Sequence, residues 1–370
     1  MFDLTEATQR WARTRRMMAE QNLDALLAID LSRDEILLAN QRWLTGYIPI
    51  GGPAAVLLHR DGHIELISER IGMPVTEYLK AHAFPIQLVN GYSATLIAER
   101  IARLAPQRLG VAEPECFSAA LAAILCAQPT RPELVDASGL LQRLRLRKSS
   151  YELGLIRTSC AIADSVWEQM PDLFKVGRRY FEIVADVDHL VRLSGAEGGF
   201  HLLLPLPFLG RPMQSLANEE RITPESRYLM EVSPRFNGYY SQLTIPVTTF
   251  SGDSAAQRAY EDVVEAKAFA QPLMRPGTPL RNVAESIAEF LGKRGRAMTS
   301  LSLGHFCGMA LEEPRDDPDA SLTLEEDMTI IFHPVLADRD FRSLMRADTY
   351  LITAAGAEQL NRYRGGMLVV

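Results

Sequence analysis

Laid over itself at an offset of 100 residues, the second half of this chain repeats, and that repeat limits the possible folds more than any other feature. Gly177 and Gly277 each precede an amphipathic helix pattern. In the first copy the apolar face is Tyr180, Ile183, Val184, Val187, Leu190 and Val191. In the second it is Leu280, Val283, Ala284, Ile287, Phe290 and Leu291, and Gly195 and Gly295 close the two copies. Each copy then runs into a strand pattern, at 228–232 and at 328–334. A duplicated helix–helix–strand unit predicts a domain with a pseudo-two-fold axis, and a site lying where both halves contribute.

Ahead of the repeat, strand and helix patterns alternate. Buried-strand runs occupy 25–29, 54–58 and 64–67, the last two flanking the turn Asp61-Gly62, and helical faces cover 96–104 and 119–126. This predicts an α/β domain over residues 1–146. The basic stretch Arg143 to Lys148 leads into Ser149-Ser150-Tyr151-Glu152, whose spacing lets Ser149 and Glu152 cap each other's amides. Behind it Leu153, Ile156, Cys160, Ala163 and Trp167 share a helical face, so a second domain is expected over 147–370. A net charge of −7 with no long basic stretch argues against a nucleic-acid partner. The apolar run 202–209 is short and broken by Pro205 and Pro207, which argues against a membrane span. Four scattered cysteines without a C-x-x-C pair, and no apolar leader, predict a reduced, cytoplasmic chain without disulfides or structural zinc.

Four polar groups interrupt apolar strands. Glu231 lies in the first strand pattern, Gln242 follows the turn Gly238-Tyr239-Tyr240, His305 follows Gly304, and His333 ends the run Met328 to Phe332. Burying such a group unpaired costs ~1–3 kcal/mol. Any one of them alone reads as a satisfied core group; four at corresponding places of a duplicated unit point to a shared site.

The order of several short motifs resembles the "pita-bread" family of creatinase, prolidases and Xaa-Pro aminopeptidases, over nearly the whole chain. Leu44-Thr45-Gly46-Tyr47, the Arg147-Lys148-Ser149 and Glu152 segment, Gly238-Tyr239-Tyr240, Gly304-His305 and Gly356-Ala357-Glu358 with Leu360 carry the resemblance. It implies an N-terminal creatinase-like α/β domain, a C-terminal pita-bread domain, a homodimer and hydrolysis of a small-molecule substrate. Trp43 and Tyr47 would line a partner subunit's cleft or serve the core. The family's metallopeptidases hold two divalent ions with two aspartates, a histidine and two glutamates. Here those places fall on Glu231, Gln242, His305, His333 and Ala347. A neutral amide and a methyl group stand where the bridging carboxylates would be, so a metal pair is not expected.

The expectation is therefore a metal-independent hydrolase of a C–N bond in an amino-acid-like carboxylate. His333 or His305 would move the proton and Glu231 with Glu312 would orient water or the leaving amine. Arg315 would hold the carboxylate, with Gln242, Tyr240, Glu313, His201, Arg346 and Gln214 lining the substrate. Gln214 stands where creatinase carries its acid–base histidine, and Glu312-Glu313 stand in place of the family's His-Glu. Arg346 is expected to occupy the place of the lost metal charge. Alternatives are a single Zn or Fe on Glu231, His305 and His333, a lyase, and an inactive binding or scaffold protein.

Overall fold

The computed structural model describes residues 3–30, 39–49, 52–128, 131–206, 220–250, 252–315, 322–337 and 343–370, with the backbone alone at 314 and 315. The chain divides into two compact units, Met1–Arg145 and Leu146–Val370.

The first unit follows the alternation read from its sequence. Helix α1 (Leu4–Glu20) precedes strand β1 (Ala25–Asp30), and the short α2 (Asn40–Thr45) precedes the hairpin β2 (Ala54–His59) and β3 (Ile64–Ser68). Helix α3 (Met73–Ala81), β4 (Ile86–Asn90), α4 (Ala94–Leu104), β5 (Arg108–Val111), α5 (Ala119–Ala127), β6 (Glu133–Asp136) and α6 (Ser138–Leu146) complete it. The six strands form one mixed sheet in the order β4-β3-β2-β1-β5-β6. Gly46 ends α2 in the left-handed region at φ 68°, where a glycine carries no Cβ penalty. Trp43 is fully buried with the Arg10 guanidinium 5.0 Å from its ring centroid, and Tyr47 gives its hydroxyl to the Arg70 carbonyl at 2.7 Å. Of their two expected roles, both side chains take the core one.

The second unit opens on α7 (Ser150–Leu173), whose capping box forms as its spacing predicts: Glu152 N–H donates to Ser149 Oγ and Ser149 N–H to Glu152 Oε2. Helix α8 (Tyr180–Leu193) leads to β7 (Gly198–Leu206), β8 (Arg227–Phe236), β9 (Tyr239–Tyr240) and β10 (Leu243–Thr248). The second half supplies α9 (Ser254–Ala270), α10 (Leu280–Gly292), β11 (Ala297–Met298), β12 (Gly304–Phe306), β13 (Glu313–Arg315) and β14 (Thr329–Phe332). Strands β15 (Leu336–Ala337), β16 (Ala347–Thr353), β17 (Gly356–Gln359) and β18 (Leu368–Val369) follow. One sheet runs β13-β12-β14-β16-β10-β8-β7 and carries β17, β18 and β9 on its flanks, while β11 pairs with β15.

The duplication extends to single hydrogen bonds. Gly177 and Gly277 take φ of 89° and 86°. Their amides donate to Ile222 O and Leu324 O, and the amides of Ile222 and Leu324 return bonds to Arg178 O and Thr278 O. The offset is 100 along the helices and grows to 102 at the strands, where Glu225 and Asp327 share a positive φ. On that count Glu231 in β8 corresponds to His333 just after β14.

Two apolar clusters cover one face of the large sheet. Helices α7 and α8 pack on Met230, Val232, Leu243 and Ile245, and α9 and α10 pack on Ile330, Phe332, Tyr350 and Ile352. The alternation of a strand sends the intervening residues to the other face.

Candidate functional site

Strand register gathers the site. Glu231 pairs with Thr244, Thr244 with Ala347, Ile331 with Thr349 and His305 with Ile331. Directly opposed residues share a face and residues two apart along a strand share it too. Glu231, Ser233, Gln242, Thr244, His305, Ile331, His333, Ala347 and Thr349 therefore stand on the face turned away from the four helices. The Thr244–Ala347 pair lies where the two halves meet, at the pseudo-axis.

The imidazoles of His305 and His333 lie edge to face, ring centroids 5.5 Å apart. His305 Nδ1 stands 3.0 Å from the Leu311 carbonyl. A carbonyl only accepts, so Nδ1 carries the proton and Nε2 is the basic nitrogen. The His333 ring is partly exposed, but its Nδ1 is buried without a hydrogen-bond partner. Burial first, then His305 and the Lys267 ammonium, hold its pKa down at about 3. His333 is thus neutral across the physiological range, which removes it as the proton shuttle and leaves it as a neutral hydrogen-bonding wall. Glu231 is pushed the other way, up to about 7, by burial and by the charge of Glu312, against the Ser233 hydroxyl that donates to it at 3.1 Å. Gln242 donates its amide to Thr244 Oγ1 at 2.9 Å, and its own backbone N–H to Thr349 Oγ1. Tyr240 is buried beside the site turn, with its amide on the Gly308 carbonyl.

Three expected substrate contacts are corrected. Arg346 precedes Ala347 and so faces the helices. Its five donors are all used: Nε and one Nη2 hydrogen on Asp348, the others on Tyr260 Oη, Gly365 O and Tyr363 O. No donor remains for a ligand. His201 pairs with Val232, which packs under α7 and α8, so it too lies behind the sheet; Ser233 N–H donates to its Nδ1. Glu313 is closed in an ion pair with Lys148, 2.8 Å long, both side chains 1% exposed. Arg315 is placed by its backbone, as the strand partner of His305. Gln214 falls outside the described residues. Ser233, Thr244 and Thr349 were missed by the sequence reading, although counting by twos from Glu231, Gln242 and Ala347 would have found them.

The donor set does not fit a metal pair. One carboxylate, Glu231, faces the site at the five ligand places; the Gln242 amide is engaged with Thr244, and Ala347 offers a methyl group. Two dications need several anionic oxygens to neutralise and bridge them. Among the described residues no three histidine, cysteine or carboxylate side chains converge on one point either.

Two family profiles cover the chain: Creatinase/Prolidase N-terminal domain over residues 10–147, and Metallopeptidase family M24 over residues 154–354. The Xaa-Pro dipeptidase of Pyrococcus furiosus is 23% identical over 320 residues, spanning 86% of this chain and 87% of the archaeal protein. Among solved structures, an Xaa-Pro dipeptidase from Bacillus anthracis superposes with a TM-score of 0.82 at 18% identity, covering 98% of this chain and all of its own. An X-Pro aminopeptidase from Thermotoga maritima gives the same TM-score at 17% identity, over 97% of this chain and 99% of its own. The duplicated sheet, the site at its axis and the profile match over more than half the sequence make this chain a member of the M24 metallopeptidase family, with the pita-bread fold.

Proposed function

We propose that the chain hydrolyses a C–N bond in a small amino-acid-like carboxylate substrate, using histidine and carboxylate groups in place of the family's metal pair. The observation that carries this reading is the replacement of both bridging carboxylates, by Gln242 and Ala347, beside a His305 whose basic nitrogen is fixed by the Leu311 carbonyl. Glu231, with a pKa near 7, takes a proton from water and returns it to the leaving nitrogen. His305 Nε2 orients the water. His333 and the Gln242 amide contact the polarised carbonyl, and Arg315 on the neighbouring strand is assigned to the substrate carboxylate. The homodimer expected from the family resemblance belongs to the same proposal.

Xaa-Pro dipeptides, the substrates named for the relatives, come first in a panel with simple amides and amidines. Turnover that survives exhaustive chelation, with substoichiometric metal by plasma mass spectrometry, is expected. Glu231→Gln should lower kcat by about 10²–10⁴-fold. One Zn or Fe per chain, or two metals, with activity lost on chelation and restored by the ion, refutes the proposal.

A further inference from the structure

Lys267 lies in the last turn of α9 and is 3% exposed. Its ammonium donates three hydrogen bonds: to Phe332 O at 2.9 Å, to Arg346 O at 2.7 Å and to Asp348 Oδ2 at 2.6 Å. The two carbonyls belong to the residues immediately before His333 and Ala347. The pairing of β14 with β16 ends at Phe332–Asp348, so the two strands part at the site and the ammonium bridges them from behind the sheet.

The repeat shows what this bridge is. Counting back 100 residues, Lys267 corresponds to Trp167, and the helix ends agree: Phe174 N–H donates to Met170 O as Met274 N–H donates to Ala270 O. The indole N–H of Trp167 donates to Leu243 O at 3.0 Å. Leu243 precedes Thr244 as Arg346 precedes Ala347, and Thr244 and Ala347 are strand partners at the pseudo-axis. Each half therefore pins the carbonyl just before its own member of that strand pair, with a side chain from the same helical position. The second half does so with a cation, and adds a bond to the carbonyl that leads into His333.

We propose that Lys267 is a positioning residue for His333: it fixes the splay of β14 from β16, and with it the place of the imidazole beside His305. This rests on the hydrolase reading only for its effect on turnover. In Lys267→Met, Arg346 still holds Asp348, so the buried carboxylate keeps a partner. The long-range proton–nitrogen cross peaks of the His333 imidazole, identified by their loss in His333→Gln, are expected to move or split. On a substrate that is turned over, kcat should fall by roughly 10- to 100-fold with KM unchanged. Trp167→Phe removes the pin of the other half and should lower the melting temperature while leaving the His333 peaks in place. Unmoved His333 peaks in Lys267→Met, or an equal displacement in Trp167→Phe, overturns the proposal. If Lys267→Met does not fold, Lys267→Arg, which keeps the charge but overreaches the three acceptors, is read by the same peaks and the same criterion. Displaced peaks without turnover of any substrate count against the hydrolase reading alone.

Discussion

Replacing Glu313 with glutamine tests whether this residue serves the fold or the substrate. Lys148 donates to Leu146 O at 3.0 Å and to Glu313 Oε2 at 2.8 Å, while Met309 N–H donates to Glu313 Oε1 at 3.1 Å. Gly308 makes room for the pair: a Cβ there would come within 2.5 Å of Glu313 Oε1 and 2.8 Å of Lys148 Cε. Glu313→Gln leaves the ammonium buried without its countercharge, and breaking a buried pair from one side costs about 3–5 kcal/mol. In a unit the size of Leu146–Val370, each kcal/mol moves the melting point by about 2–4 °C, so the expected loss is roughly 6–20 °C. The double replacement Lys148→Met with Glu313→Leu removes both charges and should recover most of it. Scanning calorimetry reads the stability, and kinetics on the same samples read the function. A Glu313→Gln protein that melts with the wild type but shows a raised KM would refute this reasoning and return the carboxylate to the substrate.

Two further outcomes follow from burial. Glu113 sits in the first unit with Ile29 N–H and the Asn40 amide on its carboxylate, and burial pushes its pKa up to about 7 from 4.5. The folded chain then keeps a proton that the unfolded chain releases. The stabilisation is full below about pH 4.5 and is lost as pH rises through 7, by roughly 3 kcal/mol. Urea midpoints followed by Trp11 and Trp43 fluorescence should fall between pH 5 and 8, and Glu113→Gln should flatten that slope; an identical slope in the variant rejects the assignment. Of the four free cysteines only Cys126 is exposed, while burial pushes the Cys307 thiol up to about 12 and the Cys160 thiol higher still. A disulfide reagent should therefore titrate one thiol in the native protein and all four in denaturant, and rapid native labelling of Cys160 or Cys307 would contradict the buried placement.

The elements that set the fold were legible because they rest on local chemistry. The capping box at Ser149 and Glu152, the left-handed glycines at 177 and 277, and the period of helices α7, α8 and α10 are written in adjacent residues. Glu231, His305 and His333 were legible for a related reason: each is a polar interruption of an apolar strand, and the fold brings all three to one face. The errors share a cause. Arg346 was assigned from its place beside Ala347 and His201 from its place at the start of a strand, and neither reading fixed which face of the strand the side chain takes; a strand sends neighbours to opposite faces, so the residue beside a site residue is the one least able to share its contacts. Glu313 was assigned from its place opposite the family's His-Glu, while its buried partner, 165 positions away, is not visible in a sequence. Lys267 was passed over inside a helix that reads as an ordinary amphipathic one; its signal was the repeat, which sets a lysine opposite a tryptophan.

That pairing bears on the proposed metal-independent mechanism. In the first half the site face carries Glu231, and the residues behind it, Trp167, Met230, Leu243 and Ile245, are uncharged. In the second half the order is reversed: His333 and Ala347 face the site, while Lys267, Arg346 and Asp348 are buried behind them. Asp348 stays ionised, its pKa near 2, because Lys267 and Arg346 outweigh its burial, so the cluster carries a net positive charge when Lys267 is protonated. A fixed charge on a rigid element costs no reorganisation when negative charge develops nearby. It also opposes protonation of His333, which keeps that ring a neutral partner for a carbonyl oxygen. In the proposed mechanism this positive charge acts on the site from behind the sheet. The consequence is directional: removing the cation at Lys267 should harm steps that build negative charge beside His333 more than those at Glu231, whose half of the domain keeps its neutral backing.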